Sequence, residues 1–256
     1  MNNIKINIAI NAYILYYIRT LEFPPRRWNM VGKREVLMDT MENTHAQDRR
    51  DYYGVYHVFN KSISGYKIFN NLHEYKRMIH LMHYYQHEGH HFKFSYVMKT
   101  GKHDTSLFVG KKKLVEIVAY CLMPTHVHFI LMPDKENGIT RFMNVVLNSY
   151  TRYFNIKHRR KGPLWQSRSK KILIETDEQL IHLTRYIHLN PVTAYLVDTP
   201  EAWEASSYRE YLSQNGNRIC AYDELFQVNP RAYKEFVDDT ISYQRERTRI
   251  KKVILE

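Results

Sequence analysis

Residues 123–131 read Met123-Pro124-Thr125-His126-Val127-His128-Phe129-Ile130-Leu131. The apolar and aromatic run Ile117-Val118-Ala119-Tyr120-Cys121-Leu122 leads into this stretch, and an apolar run leads out to Pro133. Two such segments around a short Pro-containing turn predict a pair of adjacent strands. Side chains alternate between the two faces of a strand. His126 and His128 therefore share one face, and Val127, Phe129 and Leu131 share the other. Two imidazoles on an otherwise apolar strand require a chemical reason.

Working outward, Gly54 to Lys61 predicts a strand, and Asn70 or Asn71 can cap a helix running to about Gln86. Phe92 to Met98 predicts a short strand and Gly101 to Gly110 a loop. Beyond the hairpin, a long helix is expected from about Ile139 to His158, with Phe142, Val145, Val146, Ser149, Tyr150 and Tyr153 on one apolar face. A strand follows at Lys170–Ile174. Thr176 or Asp177 then caps a helix from Glu178 to about Asn190, which Pro191 is expected to stop. A last helix is expected from Pro230 to Asp238. Strands mixed with helices, two of the strands adjacent, give an α+β class with helices packed on an antiparallel sheet.

Three regions are expected: a leader or linker over 1–50, a globular domain over 51–200, and a basic helical extension over 201–256. Ile4 to Ile18 is apolar but interrupted by Asn7 and Asn11, too short and too polar for a spanning helix. No membrane partner is expected, and Met30, Met38 and Met41 are alternative starts. The two cysteines, Cys121 and Cys220, form no disulfide framework or zinc cluster, which fits a reducing cytoplasm. Thirty-eight basic residues against 26 acidic ones leave a net charge of +12, which favours a polyanionic partner. With 21 tyrosines, the composition suits single-stranded nucleic acid, where bases stack and phosphates pair, as well as it suits a tyrosine-filled core.

Histidines at i and i+2 on a strand leave one face about 6–7 Å apart and can share a divalent ion, with coordination positions left for substrate. On spacing alone, an ordinary pair among 14 histidines remains open. A histidine-triad hydrolase needs a third histidine where Ile130 stands. Some sixty positions on, His182, Tyr186 and Asn190 recur at four-residue spacing, one stripe of a helix. A phenol can attack phosphorus when a metal polarises the phosphate, and an amide oxygen one turn on can be a third ligand. A packed tyrosine and a capping asparagine are the plainer account of the same residues.

Together, Ala119-Tyr120-Cys121-Leu122-Met123-Pro124-Thr125-His126-Val127-His128-Phe129-Ile130 and Arg185-Tyr186-Ile187-His188-Leu189-Asn190-Pro191-Val192-Thr193-Ala194 resemble the IS200-type, REP-associated tyrosine transposases, the Y1 branch of the HUH nucleases. The likeness extends to Tyr56-His57-Val58-Phe59-Asn60 and Gly162-Pro163-Leu164-Trp165-Gln166-Ser167-Arg168, and covers roughly Tyr52 to Tyr211. It departs at Thr125, where Asn is usual, and at Thr193, where Arg is usual.

The resemblance implies a ferredoxin-like antiparallel sheet with helices packed on one face, followed by a C-terminal helical extension. It implies a Mg²⁺ or Mn²⁺ ion on His126, His128 and Asn190, and Tyr186 as nucleophile. The implied activity is metal-dependent cleavage and rejoining of single-stranded DNA beside hairpins, through a phosphotyrosine intermediate. Phosphate contacts are expected from Lys111, Lys112, Lys113, Arg159, Arg160, Lys161, Arg168, Lys170 and Lys171, with Trp165 a candidate stacking platform. Members act as monomers or homodimers. The rival expectations are a non-catalytic binder of hairpin DNA or RNA and a phosphohydrolase of small nucleotides.

Overall fold

A computed structural model describes residues 53–90, 92–100, 110–213 and 218–246. The expected leader over 1–50 and the loop over 101–109 lie outside them. Strand β1 (Val55–Lys61) is followed by helices α1 (Leu72–Tyr85) and α2 (Phe94–Thr100), then by the hairpin β2 (Val115–Met123) and β3 (His126–Pro133). Helix α3 (Gly138–Lys157), strand β4 (Lys170–Ile174) and helix α4 (Asp177–Thr193) come next, and the short helices α5 (Tyr208–Leu212) and α6 (Pro230–Asp238) complete the order.

The sheet runs β2-β3-β1-β4, and every neighbouring pair is antiparallel. With α1 and α3 as the crossovers, this is the ferredoxin-like βαββαβ arrangement. β1 and β3 occupy the middle and are buried along most of their length on both faces, as strands covered on both sides are. α1 and α3 cover the face that carries Val127 and Phe129. Phe142 meets Phe129 edge-on at 6.5 Å between ring centroids, and Tyr150 packs against Phe69 at 5.1 Å. Buried Met78, Leu81 and Met82 anchor α1 there, each contributing about 1.5–3 kcal/mol by leaving water. α4 lies across the opposite face, so the histidine side of β3 is covered by a helix of its own.

Local chemistry fixes the ends. Asn71 Oδ1 accepts the Glu74 amide at the start of α1. Glu74 is itself fully buried and accepts from the Asn70 amide (2.7 Å), Lys157 Nζ (2.8 Å) and His158 Nε2 (2.6 Å), which joins the start of α1 to the end of α3. Gly138 opens α3 against the hairpin, where a β-carbon would run into the Leu114 carbonyl oxygen.

Two elements differ from the sequence expectation. Phe92–Met98 forms a helix over its later part rather than a strand. Phe94 and Val97, three apart, face the core against Tyr84, while the apparent alternation at Phe92 and Tyr96 is an exposed pair of rings stacked on each other. α4 continues through Pro191 to Thr193. The missing Pro191 amide removes only one bond of the last turn, and the chain closes with Ala194 N–H on Asn190 O (3.0 Å).

Residues beyond 200, expected as an extension, share the core. Leu122 N–H donates to Ala205 O (2.9 Å), Tyr120 N–H to Ser207 Oγ (2.9 Å), and Trp203 Nε1–H to Leu122 O (3.1 Å). These bonds cover the outer edge of β2, which would otherwise expose unpaired backbone groups. Buried Tyr208, Tyr211 and Tyr233 then seat α5 and α6 against α4. Among the described residues, no helix is long and apolar enough to cross a membrane.

Candidate active site

Strand pairing decides which side chains meet. His128 lies opposite Phe59, His126 opposite Lys61, and Ile130 opposite His57. Directly paired residues of an antiparallel sheet project from the same face. His57, Phe59, Lys61, His126 and His128 therefore form one patch. Lys170 joins it from β4 as the partner of Phe59.

α4 brings the tyrosine. Thr176 Oγ1 accepts the Gln179 amide at its start, and Leu180, Leu183 and Ile187 bury its apolar stripe. That packing turns Tyr186 toward the patch, half-buried, with its ring perpendicular to His128 at 6.1 Å between centroids. His126 and His128 are themselves edge-on at 5.0 Å. The sequence-predicted histidine pair and nucleophile thus meet within a single chain. Asn190 follows Tyr186 by one turn on the same stripe, and its Nδ2 is buried without a hydrogen-bond partner. His182, the first residue of that stripe, is instead buried beside Arg185 and Phe236.

The patch is cationic and its imidazoles are neutral. Burial, then the Lys61 charge, lowers His126 to about 4. Burial, followed by the neighbouring histidines and Lys61, holds His128 well below the ordinary histidine range. Burial alone takes His57 to about 3. Lys61 is also lowered, by burial and then by Lys170. No carboxylate among the described residues pairs with Lys61 or Lys170. Two lysines without counter-ions beside lone-pair-bearing imidazoles favour an anion and leave ring nitrogens able to ligate. His126 Nδ1 is occupied by Thr125 Oγ1 (3.0 Å) and His128 Nδ1 by His57 Nε2 (3.0 Å), so each ring has only Nε2 left to offer.

The basic segments separate in space. Ser62 N–H donates to Thr125 O (2.8 Å) and Gln166 N–H to Lys61 O (2.9 Å), so the loop carrying Trp165 and Arg168 lies at the histidine end of the sheet. α3 also ends there, because Lys157 and His158 meet the start of α1, and Arg160 sits over the Tyr66 ring at 5.5 Å. Arg159, Lys161, Arg168 and Lys170 are exposed at that end; Lys171 lies over Tyr56 from the other face of the sheet. Trp165 is half-buried, with Nε1–H donating to Thr151 Oγ1 (3.0 Å). Lys111, Lys112 and Lys113 are elsewhere. They precede Val115, which pairs with Pro133, whereas His126 pairs with Met123 at the far end of the hairpin. Eight strand residues separate the two ends, about 25 Å. Lys113 is bonded to Glu116 (2.7 Å), and Lys111 Nζ donates to Gly89 O (2.8 Å).

Sequence reasoning assigned no role to His57 or Lys61. The signal was available: both share the parity of Phe59 on β1, and pairing β1 with β3 in antiparallel register places them beside the histidines. Register is a long-range property that β1 alone does not carry.

The geometry defines a cationic histidine–tyrosine site on a ferredoxin-like sheet. Residues 73–190 match the family model described as "Transposase IS200 like", a stretch that contains His126, His128, Tyr186 and Asn190. The resemblance read from the two motifs therefore stands. A protein of Haemophilus influenzae named "Putative REP-associated tyrosine transposase" is 27% identical over 103 residues. The match covers 36% of this chain and 58% of that protein, so the chain spans under two-thirds of its relative's length. A solved structure entitled "Structure of the REP associates tyrosine transposase bound to a REP hairpin" is similar at 17% identity and a TM-score of 0.42, covering 66% of this chain and 86% of that one.

Proposed function

We propose that this chain cleaves and rejoins single-stranded DNA beside hairpins, with Tyr186 as the attacking group. The observation that carries the reading is the approach of Tyr186 to His128 within one chain, on a cationic face without paired carboxylates. The IS200-like match over the same residues supports it.

Among the described residues no three His, Cys, Asp or Glu side chains gather as a metal group. The donor set nonetheless fits a divalent ion. Two neutral imidazoles have Nε2 to offer, and the buried Asn190 amide has an unpartnered end whose oxygen and nitrogen exchange places by a simple flip. His126, His128 and Asn190 would hold Mg²⁺ or Mn²⁺, which when bound draws charge from the scissile phosphate oxygens. Tyr186 Oη forms the new bond to phosphorus and gives up its proton to solvent. The bond from phosphorus to the 3′ oxygen breaks, and that oxygen takes up a proton to leave as a 3′-hydroxyl. The 5′-phosphotyrosine polarity comes from the family resemblance. Rejoining reverses both bonds, so the phosphodiester energy is conserved. Lys61 and Lys170 would neutralise phosphates next to the break, and Arg159, Lys161 and Arg168 would hold the adjoining strand. Lys111, Lys112 and Lys113 would meet only DNA long enough to reach the other end of the sheet.

Incubation of the full chain with hairpin-bearing single-stranded DNA and Mn²⁺ tests the reading. A DNA-linked protein band that survives denaturation is expected from the wild type and is absent from Tyr186→Phe. Tight binding with no adduct under any metal would establish the non-catalytic binder instead.

A further inference from the structure

His57 is an expensive residue in its place. It is fully buried at the centre of β1, flanked by Val55, Val58 and Phe59, where an aliphatic side chain would fill the space at no polar cost. Its only hydrogen-bond partner among the described residues is His128, with Nε2 3.0 Å from His128 Nδ1. The two rings are stacked, 5.3 Å between centroids and 14° between planes. His57 Nδ1 is buried and has no partner. The ring thus makes one polar contact, and it makes it to His128 Nδ1.

We infer that His57 is a positioning residue that fixes the tautomer and ring orientation of His128, so that His128 presents its Nε2 lone pair to a divalent ion. This rests on the metal reading above. A ring that ligates through Nε2 must carry its hydrogen on Nδ1, and that N–H needs an acceptor. His57 Nε2 is the acceptor in reach, with the His57 hydrogen then on Nδ1. In the opposite arrangement His57 Nε2–H donates to His128 Nδ1, and the His128 hydrogen sits on Nε2, where it blocks ligation. Passing from one arrangement to the other moves one hydrogen across each ring and changes the protonation of neither. Ligand histidines elsewhere are commonly oriented by a carboxylate or a carbonyl, and here a second imidazole takes that part.

The test is Mn²⁺ binding to the full chain without DNA, read by the decrease in free-ion paramagnetic resonance signal, with thermal unfolding recorded alongside. His57→Gln keeps an acceptor oxygen near the position of Nε2. His57→Leu removes it, and His57→Phe refills the volume should the leucine variant not fold. Wild type and His57→Gln are expected to bind alike, and His57→Leu or His57→Phe about 10–100-fold more weakly, the usual cost of removing such a partner. Unchanged affinity in the leucine or phenylalanine variant overturns the inference. So does a glutamine variant as weak as they are, because the contact would then be packing alone. A wild type that binds no Mn²⁺ overturns the metal reading itself and the inference with it, an outcome that the wild type alone decides.

Discussion

His128 and His188 are both buried, both held neutral by burial, and both lie beside a tyrosine. They differ in what their second nitrogen does. His188 spends both: Nδ1 meets Tyr233 Oη at 2.7 Å and Nε2 meets Ser207 Oγ at 2.8 Å. It ties α6 and the β2-edge segment to the helix that carries Tyr186. His128 spends Nδ1 on His57 and leaves Nε2 unspent. Burial and a depressed pKa therefore do not distinguish a structural histidine from a chemical one; the unspent nitrogen does. Both residues stand in the two motifs that carried the family resemblance, and the motifs alone do not separate them.

The comparison breaks most sharply under substitution. His128→Ala or His126→Ala is expected to abolish metal-dependent cleavage, a loss beyond the about 10–100-fold that follows from disturbing an outer partner. Comparable activity in either variant, measured as product formed in a single turnover with Mn²⁺, would remove these residues from the site. His188→Phe should do the reverse. Tyr233 Oη then loses its imidazole partner, at a cost of about 1–3 kcal/mol, while Ser207 Oγ keeps its bonds to the Tyr120 backbone. At about 2–4 °C per kcal/mol for a chain of this size, the midpoint of thermal unfolding falls by several degrees, while cleavage persists at lower temperature.

Acidity sharpens the same contrast more gently. His57 and His188 are lowered to about 3 and His126 to about 4, from an ordinary 6.5. Between pH 6.5 and about 3 the unfolded chain binds protons that the folded chain refuses, so stability is complete above pH 6.5 and falls with pH through that window. Unfolding midpoints at pH 7.5 and 5.5 check the sign, and a more stable protein at pH 5.5 would contradict it.

The smallest effect separates the two ends of the sheet. Removing Arg168 and Lys170 should flatten the dependence of single-strand binding on salt by about 0.7 in log–log slope for each phosphate no longer neutralised. Removing Lys111, Lys112 and Lys113 should leave the slope for a short strand unchanged, because those residues lie about 25 Å along the hairpin.

Much of this was legible in order. The hairpin, α3, β4 and α6 follow from alternation, helical spacing and caps, signals that are local. The Asn71 and Thr176 caps stand where the sequence put them. The approach of Tyr186 to His128 was legible because two motifs sixty residues apart were read together. What was not legible was non-local. The second layer over the histidine face, the bond from His57 to His128, and the use of residues 203–207 to close the β2 edge all depend on register and packing between distant segments. Phe92–Met98 failed for a local reason, because Phe92, Phe94 and Tyr96 at two-residue spacing imitated a strand, while of the three only Phe94 faces the core.

The central claim is that Tyr186, among 21 tyrosines, forms the bond to DNA. The most direct measurement is proteolysis of the DNA adduct followed by mass-spectrometric location of the nucleotide-bearing residue. The account predicts the modification on Tyr186 alone. Modification of any other tyrosine, or an adduct that persists in Tyr186→Phe, would contradict it.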